Sequence, residues 1–112
     1  QNKLQHFTTE NGLPSLTINN ILQDEIGYLW LATNKGLVRF DGDEFRHLAT
    51  HSLSKVNSLF FKNEILFIGQ EKGLFKYQNR KFSYLGNEKV LKIISIDNRI
   101  ILGTTEGRKN QY

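Results

Sequence analysis

Three glycines, Gly36, Gly73 and Gly107, stand in matching surroundings, and the spacing around them constrains the fold more than any other property of the chain. In "LWLATNKGLVRF", "LFIGQEKGLFKY" and "ILGTTEGRKNQY" a large apolar residue lies six positions before the glycine: Trp30, Phe67 and Ile101. Phe40 and Tyr77 follow the first two glycines by four residues, and Phe45 and Phe82 come five beyond those. Upstream, Ile18 and Ile21, Val56 and Leu59, and Val90 and Ile93 form a column of apolar pairs three apart. The glycines are 37 and then 34 residues apart, and a period of that size marks an array of supersecondary units.

Within a unit the local signals are those of strands. "INNILQ", "YLWLAT", "LVRF" and "FRHL" are short, rich in β-branched and aromatic residues, and divided by turn-forming clusters at 24–27, 34–36 and 41–42. Glycine and asparagine there tolerate the positive φ of tight hairpins. The second unit predicts strands over 56–61, 65–69, 73–77 and 81–85. Apolar periodicity of 3.6 residues is not sustained anywhere, so helix should be nearly absent.

Four-stranded antiparallel meanders at this period fit the blades of an all-β propeller, because solenoid repeats carry helices or single-strand turns. Blades pack face to face. Trp30, Phe40, Phe45, Phe67, Tyr77 and Phe82 are therefore expected in the core between them, since a tryptophan inside an apolar strand is core far more often than a ligand platform.

The two ends qualify this. "LQHF" at 4–7 aligns with "FRHL" and "FSYL", so residues 1–9 read as an outer closing strand with no blade before it. Blade one is expected over 14–49, blade two over 54–86, and a partial third over 88–112, whose first two strands, 90–96 and 99–104, precede "GRKNQY" where "GLVRF" would be expected. All of it forms one partial propeller domain. Exposed blade faces and strand edges predict self-association, most simply a dimer in which one chain's first strand completes the third blade of another.

At 112 residues the chain suits one small core. Without cysteine it has no disulfide, thiolate metal site or cysteine nucleophile. It begins at Gln1 and has no methionine, as expected of a processed start or a cut piece. Its longest apolar runs fall far below the roughly 20 residues of a membrane helix, so no membrane insertion of this segment is expected. Lys and Arg outnumber Asp and Glu by 15 to 11. The positive charges are dispersed along strand and turn positions, which predicts a solvated surface and no nucleic-acid site.

Reactive residues add little, and no catalytic residue, metal site or cofactor is expected. His47 and His51 lack the acidic neighbour of a zinc-protease helix. Asp41, Asp43 and Glu44 crowd one turn but fall short of a calcium loop, and turn chemistry accounts for them. Phosphate-cradling glycine motifs, "GxSxG" and Asn-x-Ser/Thr sequons do not occur. The loops between second and third strands supply the candidate ligand-binding residues: Asn34, Lys35, Glu71, Lys72, Thr105 and Glu106. All are polar and none is aromatic, which is compatible with an anionic or sugar ligand. A cluster of exposed aromatics flanked by carboxylates would point more firmly to sugar, which needs an apolar stacking face and polar partners.

The stretch "NGLPSLTINNILQDEIGYLWLATNKGLVRFDGDEFRHL" resembles the two-component regulator propeller repeat. Its Gly-Leu-Pro-Ser lead-in at 12–15, Asp24, Gly27, Leu29, Trp30, Thr33, Gly36, Leu37, Phe40, Asp41 and Gly42 carry the likeness. The second unit keeps Gly69, Gly73, Leu74 and Tyr77, and the third Gly103, Thr104 and Gly107. The resemblance implies a fragment of the extracytoplasmic sensor region of a bacterial hybrid two-component protein, where such repeats precede a membrane helix and a histidine kinase. It implies a non-enzymatic role and an oligosaccharide or related ligand. The competing class is a propeller scaffold that binds protein and no small molecule.

Overall fold

The computed structural model describes residues 17–48, 55–105 and 107–110, the last four as backbone. Three antiparallel sheets account for them. The first is β1 (Ile18–Gln23), β2 (Leu29–Thr33), β3 (Gly36–Phe40) and β4 (Phe45–Leu48), in that order. The second is β5 (Val56–Lys62), β6 (Ile65–Gln70), β7 (Gly73–Gln78) and β8 (Lys81–Gly86), again in chain order. β9 (Val90–Ile96), β10 (Arg99–Thr104) and β11 (Gly107–Asn110) form the third. Helix is absent among the described residues. These are the expected propeller blades, two of them four-stranded.

The third sheet has one strand more than its sequence suggests. "GRKN" lacks the apolar alternation of "GLVRF", yet its backbone pairs Gly107 with Thr104 and Asn110 with Ile101. Ladder hydrogen bonds come from the main chain, so a hairpin closed at a glycine forms whatever side chains follow. The expected closing strand over 1–9 lies outside the described residues.

Turn chemistry fixes these registers. Asn63–Glu64, Asn79–Arg80 and Asp97–Asn98 each place two consecutive non-glycine residues at φ between 49° and 66°, the two-residue hairpin geometry whose twist matches that of the strands. The glycine column has a harder reason. At Gly73, φ is 141° and a Cβ would come within 2.2 Å of the Gly86 carbonyl oxygen, so a side chain is excluded by backbone and by dihedral together.

Register then decides which way each column faces, because paired residues share a face. Trp30 pairs with Arg39 and Leu22, and Ala32 with Leu37; this face of the first sheet packs on Leu59, Leu66, Ile68 and Phe75 of the second. Trp30 is 3% exposed and meets Tyr77 at 5.5 Å between ring centroids and Phe61 at 6.2 Å. Phe82 meets Tyr77 at a tilt, 4.7 Å between ring centroids, and joins the same core. Phe67, one repeat after Trp30, faces the third sheet with Val90, Ile93, Ile100 and Leu102. The Trp30 column thus looks forward along the array and the Tyr77 column looks back. Phe40 and Phe45, stacked at 4.5 Å, look back as well, packing with Leu31 and Val38 on the side of the first sheet turned away from the second.

The apolar pairs of the first strands also look back. Val56 and Leu59 are buried against the first sheet, and Val90 and Ile93 against the second. Ile18 and Ile21 occupy the same column but are 36% and 54% exposed, because no sheet among the described residues lies on that side.

Candidate ligand-binding cleft

In a meander the turns alternate between two ends of each sheet. The turns joining second to third strands lie at one end, and those joining first to second and third to fourth lie at the other.

The sequence-predicted loop residues are at the first end. The structure gives Asn34 and Glu71 equivalent partners there. The Asn19 amide donates to Asn34 Oδ1 at 3.0 Å and to the Val56 carbonyl oxygen, in the next sheet, at 2.9 Å. One repeat later the Asn57 amide donates to Glu71 Oε2 at 2.8 Å and to the Val90 carbonyl oxygen at 2.8 Å. Each asparagine therefore bridges its own hairpin and the following sheet. Asn57's amide, more than any other group, holds the Glu71 carboxyl below the usual glutamate range; burial opposes this, and Lys89, 3.1 Å away, assists. The side chains of Lys35 and Lys72 are exposed, as is Thr105, and Glu106 lies outside the described residues. None of the five described candidates lines the cleft described next.

At the other end a cleft of about 430 Å³ opens between the first two sheets. Its floor is Trp30. Tyr28 and Arg39 form the wall on the first sheet, and Phe61 and Tyr77 the wall on the second. Glu25, Lys62, Glu64, Gln78 and Asn79 stand at its rim. Aromatic walls with a polar rim offer ring stacking and hydrogen bonds together, the combination that was absent from the loops at the far end.

Asp24 builds the first-sheet side of this cleft. Its Oδ1 accepts from the backbone N–H of Ile26, Gly27 and Tyr28 at 2.9 to 3.0 Å, which closes the 24–28 turn. Its Oδ2 accepts from Trp30 Nε1 at 2.8 Å. The carboxylate thus fixes the turn and the indole at once. Arg39 projects from the next-to-last position of β3 over both rings, its guanidinium carbon 4.8 Å from the centroid of Tyr28 and 5.6 Å from that of Trp30. It is half-buried, and no carboxylate among the described residues is within ion-pairing distance of it.

Sequence reasoning missed this cleft, although one signal was present. Counting back from Gly36 across the hairpin puts Arg39 opposite Trp30, on the face turned to the next blade. A cation at this core-facing register position recurs one repeat later, where Lys76 pairs with Phe67, and in the first sheet it falls on the cleft.

The Asp41 turn follows its expected chemistry. Oδ1 accepts from the N–H of Asp43 and Glu44, both at 2.9 Å, and the bond from Glu44 leads the causes that lower its carboxyl. Among the described residues no three His, Cys, Asp or Glu side chains converge as metal ligands.

Comparison with known proteins bears on the first sheet and on the array. The two component regulator propeller family matches residues 12–35. A stretch of 40 residues, 36% of this chain and 3% of the relative, is 45% identical to Histidine kinase P4 of Formosa agariphila. The extracellular domain of the one component system BT4673 from B. thetaiotaomicron superposes with a TM-score of 0.83 at 26% identity, over 98% of this chain and 17% of that one. The chain therefore spans less than a fifth of either relative's length. With Asp24 and Trp30 inside the matched segment and the whole array reproduced in the solved relative, residues 12–35 match a two-component regulator propeller repeat, and the array around them has the fold of that extracellular domain.

Proposed function

We propose that the chain is part of the ligand-sensing region of an extracytoplasmic signalling receptor, and that it binds an oligosaccharide without transforming it. The observation that carries this reading is the cleft between the first two sheets, with the rings of Trp30, Tyr28, Phe61 and Tyr77 around its interior and carboxylates at the rim. A pyranose ring has an apolar face and a hydroxyl edge, and the cleft offers a surface for each. The likeness to the extracellular domain of a one component system and to a segment of a histidine kinase supports a role in signalling outside the cytoplasm. The test is a thermal-shift panel of neutral and acidic oligosaccharides, with chromatography of each sugar afterwards. Stabilisation with the sugar recovered intact is expected; cleavage or modification of any sugar overturns the non-catalytic reading.

The second reading is an assembly scaffold, favoured by a different face. Ile94 and Ile96 of β9 are 41% and 43% exposed, and the outer edge of β11 has no strand beside it among the described residues. A second copy supplying its residues 1–9 to that edge gives a head-to-tail dimer. Sedimentation at micromolar concentration should show that dimer and its loss on deletion of residues 1–9. A folded, strictly monomeric chain rules this assembly out.

A further inference from the structure

The interior of the cleft and its rim differ in charge. Glu25 and Glu64 are exposed at the mouth, where water solvates them, whereas Arg39 is half-buried inside it. Asp24, which also lines the cleft, accepts four N–H donors from its own turn and from Trp30. Arg39 is therefore a cation held against two aromatic rings and left without an anionic partner among the described residues.

Ring faces compensate a guanidinium only in part, and a half-buried arginine ordinarily finds a carboxylate as well. A guanidinium stacked on an aromatic face keeps its N–H fork in the plane parallel to the ring, directed outward, where it matches the two oxygens of a carboxylate. On the opposite wall Phe61 and Tyr77 are also half-buried, so they leave aromatic surface open to the cleft. The two walls differ in kind: one is a cation on rings, the other is rings alone.

We propose that this cleft is a subsite for a carboxylated sugar, whose carboxylate pairs with Arg39 while its ring lies against Phe61 and Tyr77; this rests on the saccharide-sensor reading above. The carboxylate supplies the counter-charge that the described residues leave out. The acids at the rim then accept from hydroxyls at the sugar's outer edge.

Titration of the isotopically labelled 112-residue chain by NMR tests this, with glucuronate, galacturonate and mannuronate oligomers set against neutral hexose oligomers of the same linkage. The reporters are the Trp30 Nε1–H and Arg39 side-chain signals inside the cleft, and the Asn19 and Asn57 amides at the far end. At least one uronate should move the cleft reporters at a concentration tenfold or more below that of its neutral counterpart. Arg39→Gln should remove that difference and Arg39→Lys should restore part of it, with the Asn19 and Asn57 amide signals at the far end unchanged in the free variants as proof of the fold. Equal response to charged and neutral sugars at the cleft overturns the carboxylate pairing and leaves the saccharide reading intact. Response only at the asparagine reporters overturns the cleft and leaves the sensor reading intact. A chain that responds to no sugar at all brings down both.

Discussion

One carboxylate oxygen of Asp24 accepts the indole N–H of Trp30 at 2.8 Å, while the other ties down three backbone N–H groups of the turn that separates the two residues. The bond joins the tip of a hairpin to the floor of the inter-sheet core. Hydrogen bonds to a charged acceptor contribute about 1.5 to 3 kcal/mol net, and a buried donor left alone costs a further penalty. Asp24→Ala should therefore destabilise the chain by about 3 kcal/mol, and Asp24→Asn by less, since one amide oxygen can still accept. Urea unfolding followed by circular dichroism gives both values, and an Asp24→Ala midpoint equal to that of the parent would refute the arrangement.

Trp30 itself joins the two sheets. Truncating it to alanine opens a void beneath Phe61 and Tyr77, and large core truncations cost about 3 to 5 kcal/mol. The denaturation midpoint of Trp30→Ala should fall accordingly. An unchanged midpoint with lost sugar binding would move Trp30 from the core to the site alone.

Gly73 has no room for a side chain. Gly73→Ala sets a Cβ 2.2 Å from a backbone oxygen at a φ of 141°, whereas Gly42, at a φ of 103°, has open space around it. Both substitutions strain the dihedral, at roughly 1 to 3 kcal/mol each; only Gly73→Ala also forces β7 and β8 apart. Its melting temperature should drop well below that of Gly42→Ala, and equal losses would disprove the steric account.

The columns of glycine and aromatic residues made the strands readable, because a hairpin closed at a glycine of positive φ sets the register of everything beside it. Facing was harder. Trp30 and Phe40 both read as core, and only the pairing of Trp30 with Arg39 shows that they lie on opposite sides of one sheet. The asparagine bridges were legible in part: Asn19 and Asn57 each follow the first apolar residue of their column, a polar recurrence that strand patterning alone passes over. Their acceptors were not legible, because a main-chain carbonyl in another sheet leaves no mark on the sequence. The cleft draws residues from five strands of two blades, and that convergence exists only once the sheets are packed.

The Asn57 bridge distinguishes shape from chemistry. Asn57→Asp keeps the outline but removes both N–H donors, placing a carboxylate against Glu71 and the Val90 carbonyl oxygen. The loss should be about 2 to 4 kcal/mol at neutral pH and smaller in mild acid, where one of the paired carboxylates takes a proton. A loss independent of pH between 4 and 7 would argue against the contact.

Glu71 also gives the parent chain an acid dependence. Its carboxyl sits below the ordinary glutamate value when folded, led by the Asn57 hydrogen bond, so the stability it contributes is complete above that ordinary value, about 4.3, and is lost as the pH falls through the lowered one. Unfolding free energy should decline over that interval in the parent and decline less in Glu71→Gln. Parallel curves would remove Glu71 from the account.

The asparagine bridges are lopsided contacts: a particular side chain gives, and a main-chain oxygen receives. Every polypeptide unit carries that oxygen whatever its residues. A newly duplicated unit therefore inherits the receiving half of its joint without any selection on its side chains, and brings the giving half within its own copy. Drift inside one unit can spoil only the joint that follows it. Lineages built on such a coupling can lengthen, shorten or recombine their arrays while the remaining joints stay in force.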